Sequence, residues 1–488
     1  MLFTEPIWLS ILLPILVALI LLIASLAVGH WRHVSLDKAA WLSTAGLALA
    51  LVTGGALFAV VLVGFVLFTH WIGFAIERAA DRRNPQAAPG GLPARAWLVV
   101  AVGVHLAMVA AISHAGVVSG RPQGIGRTIV PFGVSYFAFH GISYVIDVYR
   151  RRVVAQRNRW QLAVHLVLLP QIVGGPLAYQ GMAPQLARRW PSVSDYTYGV
   201  RRLLIGVWKV FVIANLAGAQ ADAAFALRPG GLSAFQAWLG LISFTVQMYY
   251  GFSGYSDMGI GLGRMLGFRL PENFRWPYVA ETVQEFWRLW HMGLTAWFRE
   301  YADVSLDPDR VPPPSARREA LVVLLCGIWY GVGWTFVAWG LYHAALIAVE
   351  RAGVGAAVKR LPAPLRHVYL IAVVMVGWVV LRSETLGGAL LFFKGLSGLN
   401  ASALRAGPTI PLEVWLVLAA GAIGCAPLFP AIRRWTVAID ALTTSLLMML
   451  FATVLFAWRC VGLVAAPVLR WWRWSLMRVS RRGGGTLS

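Results

Sequence analysis

Long apolar runs separated by short polar breaks set the pattern of this chain from end to end. Runs that match the roughly 20 residues needed to cross a bilayer fall near 7–29, 41–69, 97–117, 128–146, 161–180, 203–225, 232–250, 320–350, 367–385, 412–430 and 441–467. The pattern predicts an all-α polytopic membrane protein with about eleven transmembrane helices, built as a single integral membrane domain over 1–488. The run 320–350 fits either one tilted helix or a broken pair. No internal repeat of useful length is visible, which weakens an inverted-repeat transporter. Two breaks read as surface loops: 83–95, rich in Pro and Gly, and 307–318, charged and Pro-rich.

The first run carries Glu5 in place of a basic flank and lacks an Ala-x-Ala-like site, so it is not a cleavable signal. It ends at His30, Arg32 and His33, which predicts a periplasmic N-terminus with the basic end of the first helix in the cytoplasm. The basic tail over 470–488 is expected in the cytoplasm as well.

Composition agrees with this pattern. Of 488 residues 59% are hydrophobic and 13% charged, where a soluble chain carries about 25% charged residues; mean hydropathy is +0.68. The net charge of +22 does not point to nucleic acid. The cations cluster between apolar runs, at Arg78, Arg82 and Arg83, at Arg150 to Arg152, at Arg188 and Arg189, and at Arg433 and Arg434. Short basic loops are what cytoplasmic retention produces, and they attract anionic lipid head groups. Cys326, Cys425 and Cys460 all lie in apolar segments, form no metal-ligand pair and read as buried free thiols.

Between 251 and 318 hydropathy falls while polar and aromatic content rises. Unsatisfied polar groups facing lipid cost several kcal/mol each, so this stretch belongs at the interface or around an internal cavity. Gly259, Gly261 and Gly263 do not follow a strand, which argues against a dinucleotide fingerprint. Ser253 and Ser256 sit in no nucleophile elbow. Small residues here are suited to close helix approach. Asp257 is a functional candidate as an ionisable group in an apolar stretch, and an ion pair with Arg264 or Arg269 is an equally good account of it.

Residues 281–301 have helical spacing, and Trp287, His291, Leu294 and Phe298 fall on one face. Trp290 and Trp297 flank that face, while Glu285, Arg288 and Glu300 are placed toward water. An aromatic face edged with charge suggests an interfacial helix. A lone histidine on such a face is more often structural than catalytic.

The conjunction of motifs is more specific than any one of them. Ser253-Gly-Tyr-Ser-Asp-Met258, Pro271-Glu-Asn-Phe274 followed by Pro277-Tyr278, Glu285-Phe-Trp-Arg-Leu-Trp-His291 and Trp329 through His343 occur in that order. Together they resemble the membrane-bound O-acyltransferase family, in its bacterial branch concerned with alginate O-acetylation and D-alanyl transfer to teichoic acids. Ser135-Tyr136, Asp147 to Arg150, Leu169-Pro-Gln171, Gly175-Pro176, Gly199, Gly206 and Lys209 add to it, and the likeness is strong over 130–350. The resemblance implies transmembrane and re-entrant helices around a central tunnel or funnel in a bacterial inner membrane. It implies transfer of an acyl group, acetyl above all, from a cytoplasmic thioester to a hydroxyl of an exopolysaccharide or envelope glycan. The donor would be acetyl-CoA or an acyl carrier protein, with no permanently bound cofactor and no metal. A periplasmic acyltransferase or polysaccharide-assembly protein would be the partner.

The resemblance also assigns roles. His291 and His343 stand at histidine positions of the pattern, and Tyr330 stands where the expected base, a histidine after tryptophan, is found in relatives. Asp257, Ser256, Asn273, Trp287, Arg288, Trp290, Trp329 and Trp334 are the expected substrate-binding set. A neutral imidazole takes a hydroxyl proton readily, whereas a tyrosine with a pKa near 10 is a poor base at neutral pH and suits oxyanion stabilisation. On one unbroken helix His343 would face roughly 220° away from Tyr330, about 20 Å along the axis, so His291 is the better base. The segment Arg299 to Pro308 also departs from the family pattern. Three readings follow: an active O-acyltransferase, a non-catalytic relative serving as scaffold or carrier-binding component, and a transporter.

Overall fold

The computed structural model describes residues 38–80, 93–118, 126–175, 178–186, 191–227, 232–302, 315–331, 333–398 and 410–426. The runs at 7–29 and 441–467, the N-terminus, most of both predicted loops, Cys460 and the tail lie outside the described residues. What is described is helical, with no strand among the described residues. Four stretches are long and apolar enough to cross a membrane: Ala59–Ala80, Ser194–Phe225, Trp334–Arg360 and Ala363–Arg382.

Helices α1 (Lys38–Ala80), α2 (Ala94–Val118) and α3 (Gly126–Tyr149) pack side by side. Their outer faces expose Val60, Leu67, Trp71 and Leu106, while Leu62, Phe65, Ile72 and Ile76 turn inward. Short helices α4 (Arg159–Val167), α5 (Leu169–Gly174) and α6 (Tyr179–Leu186) follow. Asn158 caps α4 by accepting from the Trp160 and Gln161 amides.

Helix α7 (Val193–Trp208) continues through a π turn (Lys209–Ala214) into α8 (Asn215–Phe225). The hub is α9 (Ala234–Met265), opened by a capping box between Ser233 and Gln236. It packs against α5, α7, the π turn and α8, and its residues from Ser243 to Gly251 are all buried. Glycines make this closeness possible. A side chain at Gly206 would begin 2.5 Å from the Gly254 carbonyl oxygen, and one at Gly259 would begin 2.3 Å from the Gly174 amide nitrogen. Close approach through small residues is the packing mode of membrane helices. It also explains why Gln247, Ser253, Ser256 and Asp257 on α9 are buried against protein and not facing lipid.

The helix expected over 281–301 is two helices, α10 (Val283–Leu289) and α11 (Met292–Tyr301). The break falls at His291, whose backbone is left-handed at φ 46°, so Trp287 and His291 do not continue one helical face. The run 320–350 is a broken pair, α12 (Ala316–Tyr330) and α13 (Trp334–Val349). A side chain at Gly327 would begin 2.6 Å from the Phe336 carbonyl oxygen and 3.1 Å from the Gly340 Cα, so the two helices fold back tightly on each other. The chain then runs through a second π turn (Glu350–Val354) into α14 (Gly355–Arg360), α15 (Ala363–Arg382), α16 (Leu386–Leu396) and α17 (Leu412–Gly424).

Candidate active site

His291 owes its position to a residue far from it in sequence. It begins α11 without supplying a side-chain cap, and the first amides of a helix need partners from elsewhere. Asn273 provides them. Its carbonyl oxygen accepts from the Met292 amide at 2.8 Å, and its side-chain Oδ1 accepts from the Gly293 amide at 3.0 Å. Its Nδ2 donates to the Gly174 carbonyl oxygen and to Ser256 Oγ at 2.8 Å. One buried amide thus ties α5, α9 and α11 together around a left-handed histidine, a conformation uncommon for residues other than glycine. The close fit depends on Gly175, whose φ of +100° and missing side chain leave Asn273 its place. Asn273 and Ser256, expected to bind substrate, have their described polar contacts within the protein.

The imidazole of His291 lies among rings: Phe274 at 5.5 Å, Trp329 at 5.7 Å and Phe252 at 6.2 Å between centroids. Its Nδ1 is buried without a hydrogen-bond partner. Burial disfavours the imidazolium and lowers the pKa to about 4, so the ring is neutral at physiological pH. Tyr330 shares two of these neighbours, with Trp329 at 5.3 Å and Phe252 at 5.4 Å. Its hydroxyl accepts from Trp290 Nε1 at 3.2 Å, and its own proton has no acceptor among the described residues. The structure therefore brings His291 and Tyr330 into one aromatic chamber. Trp329 closes part of it and donates from Nε1 to Ser135 Oγ at 3.1 Å.

His343 sits one ring further on. The fold-back at Gly331 to Gly333 replaces the straight helix on which it would have faced away from Tyr330. Both now flank Trp339, with centroids at 5.4 Å for Tyr330 and 4.9 Å for His343. Trp287 Nε1 donates to His343 Nδ1 at 3.4 Å, which places the proton of a neutral ring on Nε2. Trp287 on α10 and Trp290, the extended residue that ends it, thus hold His343 and Tyr330 respectively.

Other expected site residues lie elsewhere. Arg288 is exposed. Trp334, at 80% exposure, is on the outside at the start of α13. Asp257 pairs with neither Arg264 nor Arg269. Its Oδ1 accepts from Arg202 Nε at 2.8 Å, and Lys209 Nζ lies 2.7 Å from Oδ2; Arg202 also pairs with Glu272, and Arg264 with Asp195. Two contributors were not picked out from the sequence. Trp378 stacks on Trp339 at 5.8 Å. The buried carboxylate of Glu350 accepts from the Val283 and Gln284 amides at 2.7 and 3.1 Å, fixing the start of α10. A lone acid ending an apolar run is a signal that could have found Glu350. Among the described residues no cluster of three or more His, Cys, Asp or Glu is placed to hold a metal ion.

Residues 184–383 match the model of MBOAT, the membrane-bound O-acyltransferase family, and this segment contains His291, Tyr330 and His343. The chain is 37% identical over 334 residues to the probable alginate O-acetylase AlgI of Azotobacter vinelandii, covering 66% of this chain and 65% of that one. It is 35% identical to the probable alginate O-acetylase AlgI of Pseudomonas putida, covering 67% and 68% of the two. The chain belongs to the membrane-bound O-acyltransferase family. A more distant relative, the peptidoglycan O-acetyltransferase of Helicobacter pylori, is 29% identical over 70% of this chain and 71% of its own length. The match spans about two thirds of the length of these relatives.

Proposed function

We propose that this protein transfers an acyl group, acetyl foremost, from a thioester donor to a hydroxyl of an exopolysaccharide or cell-envelope glycan. The carrying observation is the neutral, buried imidazole of His291, with an unpartnered Nδ1, in the same chamber as the Tyr330 hydroxyl. His291 takes the proton of the acceptor hydroxyl as its oxygen attacks the thioester carbonyl carbon. Tyr330, fixed by Trp290, donates its O–H to the carbonyl oxygen as negative charge develops there. The carbon–sulfur bond then breaks, and the imidazolium returns the proton to the departing thiolate. The relatives' names support an envelope polysaccharide as acceptor. Acetyl-CoA or an acyl carrier protein is the proposed donor, and a periplasmic acyltransferase or assembly protein would receive or pass on the group. The protein would lie in the inner membrane with its N-terminus periplasmic and its basic tail cytoplasmic, in contact with lipid and not nucleic acid.

The test is acetyl-CoA turnover by the purified full chain in lipid, comparing the native protein, His291→Ala and Tyr330→His. The native protein is expected to turn over, and His291→Ala to lose about 10²–10⁴ of that rate. Tyr330 favours one other reading, a relative that keeps the fold as a scaffold. Turnover confined to Tyr330→His would establish that reading and reject ours.

A further inference from the structure

Helix α10 has seven residues, too few to hold a direction of its own, since isolated helices shorter than about 12–15 residues are marginal. Its start is nevertheless fully paired. Glu350, buried at the start of the second π turn, places one carboxylate oxygen on each of the first two amides. Oε1 accepts from Val283 at 2.7 Å and Oε2 from Gln284 at 3.1 Å. Thr282 Oγ1 accepts from the third amide, that of Glu285, at 3.2 Å. Glu350 is itself held in place. Tyr369 on α15 donates its hydroxyl to Oε1 at 3.1 Å, and Gln284 Nε2 donates to Oε2 at 3.4 Å. A negative group is favoured at a helix start, where unpaired amides and the helix dipole present positive charge. A buried carboxylate is costly unless it is hydrogen-bonded, and this one meets four donors.

The other end of α10 carries the chamber. Trp290 ends the helix, is fully buried and donates to the Tyr330 hydroxyl at 3.2 Å. Midway, Trp287 donates to His343 Nδ1 at 3.4 Å, and His343 lies on α13, the helix that runs directly into Glu350. Helix α10 is thus tied at two points to one continuous segment, at its start by Glu350 and midway by His343. The two ties fix its slide along α13 and, with it, where Trp290 meets Tyr330. A slide of about 1.5 Å, the rise of one residue, is enough to break a hydrogen bond whose useful range is about 2.7–3.2 Å. We infer that Glu350 is a positioning residue for the Tyr330 hydroxyl, acting from outside the chamber through α10 and Trp290. In the transferase reading, on which this inference rests, that hydroxyl donates to the carbonyl oxygen of the acyl group.

A double-mutant cycle on the full chain in lipid nanodiscs tests this, with acetyl-CoA as the probe and Glu350→Gln and Tyr330→Phe as the two changes. Glutamine keeps the size of glutamate but offers one oxygen to two amides. Glu350→Gln is expected to lower kcat by about tenfold and to leave KM for acetyl-CoA within about twofold. In Tyr330→Phe the same change should lower kcat by less than about twofold, because the hydroxyl it positions is already gone. A change that only reduces the amount of folded protein lowers kcat by the same factor in both backgrounds, and that result overturns the inference. An unchanged kcat, or a rise in KM alone, overturns it as well. Glu350→Asp, which keeps the charge on a shorter stem, goes through the same cycle. Should Glu350→Gln not fold, an equal loss in both backgrounds or no loss with Glu350→Asp decides against Glu350. A native protein without turnover rejects the transferase reading and not the placement of α10. The cycle is then read in melting temperature: shifts that fail to add keep Glu350 as the support of the Trp290–Tyr330 bond, and shifts that add overturn it.

Discussion

Asn273 and the Trp339–His343 pair are both buried polar groups beside the same aromatic chamber, and they treat hydrogen bonding in opposite ways. Asn273 directs its amide and its carbonyl oxygen to partners on three helices. Trp339 and His343 each keep one N–H without an acceptor. A fully paired network rigidifies a core, while unpaired buried donors are uncommon and costly. The contrast separates a residue whose hydrogen bonds build the site from a pair that enters it through ring packing, although motif matching had put Asn273 among substrate binders.

That contrast can be broken experimentally. The largest effect is expected for Asn273→Ala, which strands the Gly293 amide and the Gly174 carbonyl. It should lower stability by about 2–4 kcal/mol, read as a fall in melting temperature in detergent, and should reduce turnover through His291. A smaller effect belongs to Tyr330→Phe. It removes only a hydroxyl, so melting should move by about 1 kcal/mol or less while acetyl-CoA turnover falls by about tenfold or more. If melting falls and turnover does not, Tyr330 is a packing residue. The pH profile sharpens the role of His291. Its pKa is held down near 4, so its basic form persists as pH falls, and turnover should stay level from neutral pH to about pH 5. A decline centred near the unperturbed value of about 6.5 would place the working base elsewhere. The smallest effect is expected for Trp334→Ala, where an exposed side chain should alter melting by no more than about 0.5 kcal/mol.

Much of this was legible in the sequence because hydropathy and motif order are local properties. The polar stretch beginning at Gly251 was kept away from lipid, at the interface or around an internal cavity, and the glycines of α9 were read as contact points; both follow from composition. The break at His291 was hidden. Residues 281–301 have an unbroken helical period, and what stops the helix is Asn273, a partner outside that segment. The same holds for Trp334, whose place in the motif gave no sign that the turn at Gly331 to Gly333 carries it outside. Asp257 was expected to bind substrate, with a pair to Arg264 or Arg269 as an equal alternative; it is paired, but with Arg202 and Lys209. Arg202 and Lys209 lie on a different helix, and their approach depends on Gly206 and Gly254 meeting. Pairing across helices is set by packing, which a linear reading does not contain.

The ion pair at Asp257 has a consequence for how the chain is made. A buried carboxylate is costly unless it is paired, and Asp257 is buried. Arg202 and Lys209 precede Asp257 along the chain, so during synthesis both cations emerge before the anion that neutralises them. The segment that carries the anion, α9, is thus made after α7 and the π turn, the segments that neutralise it.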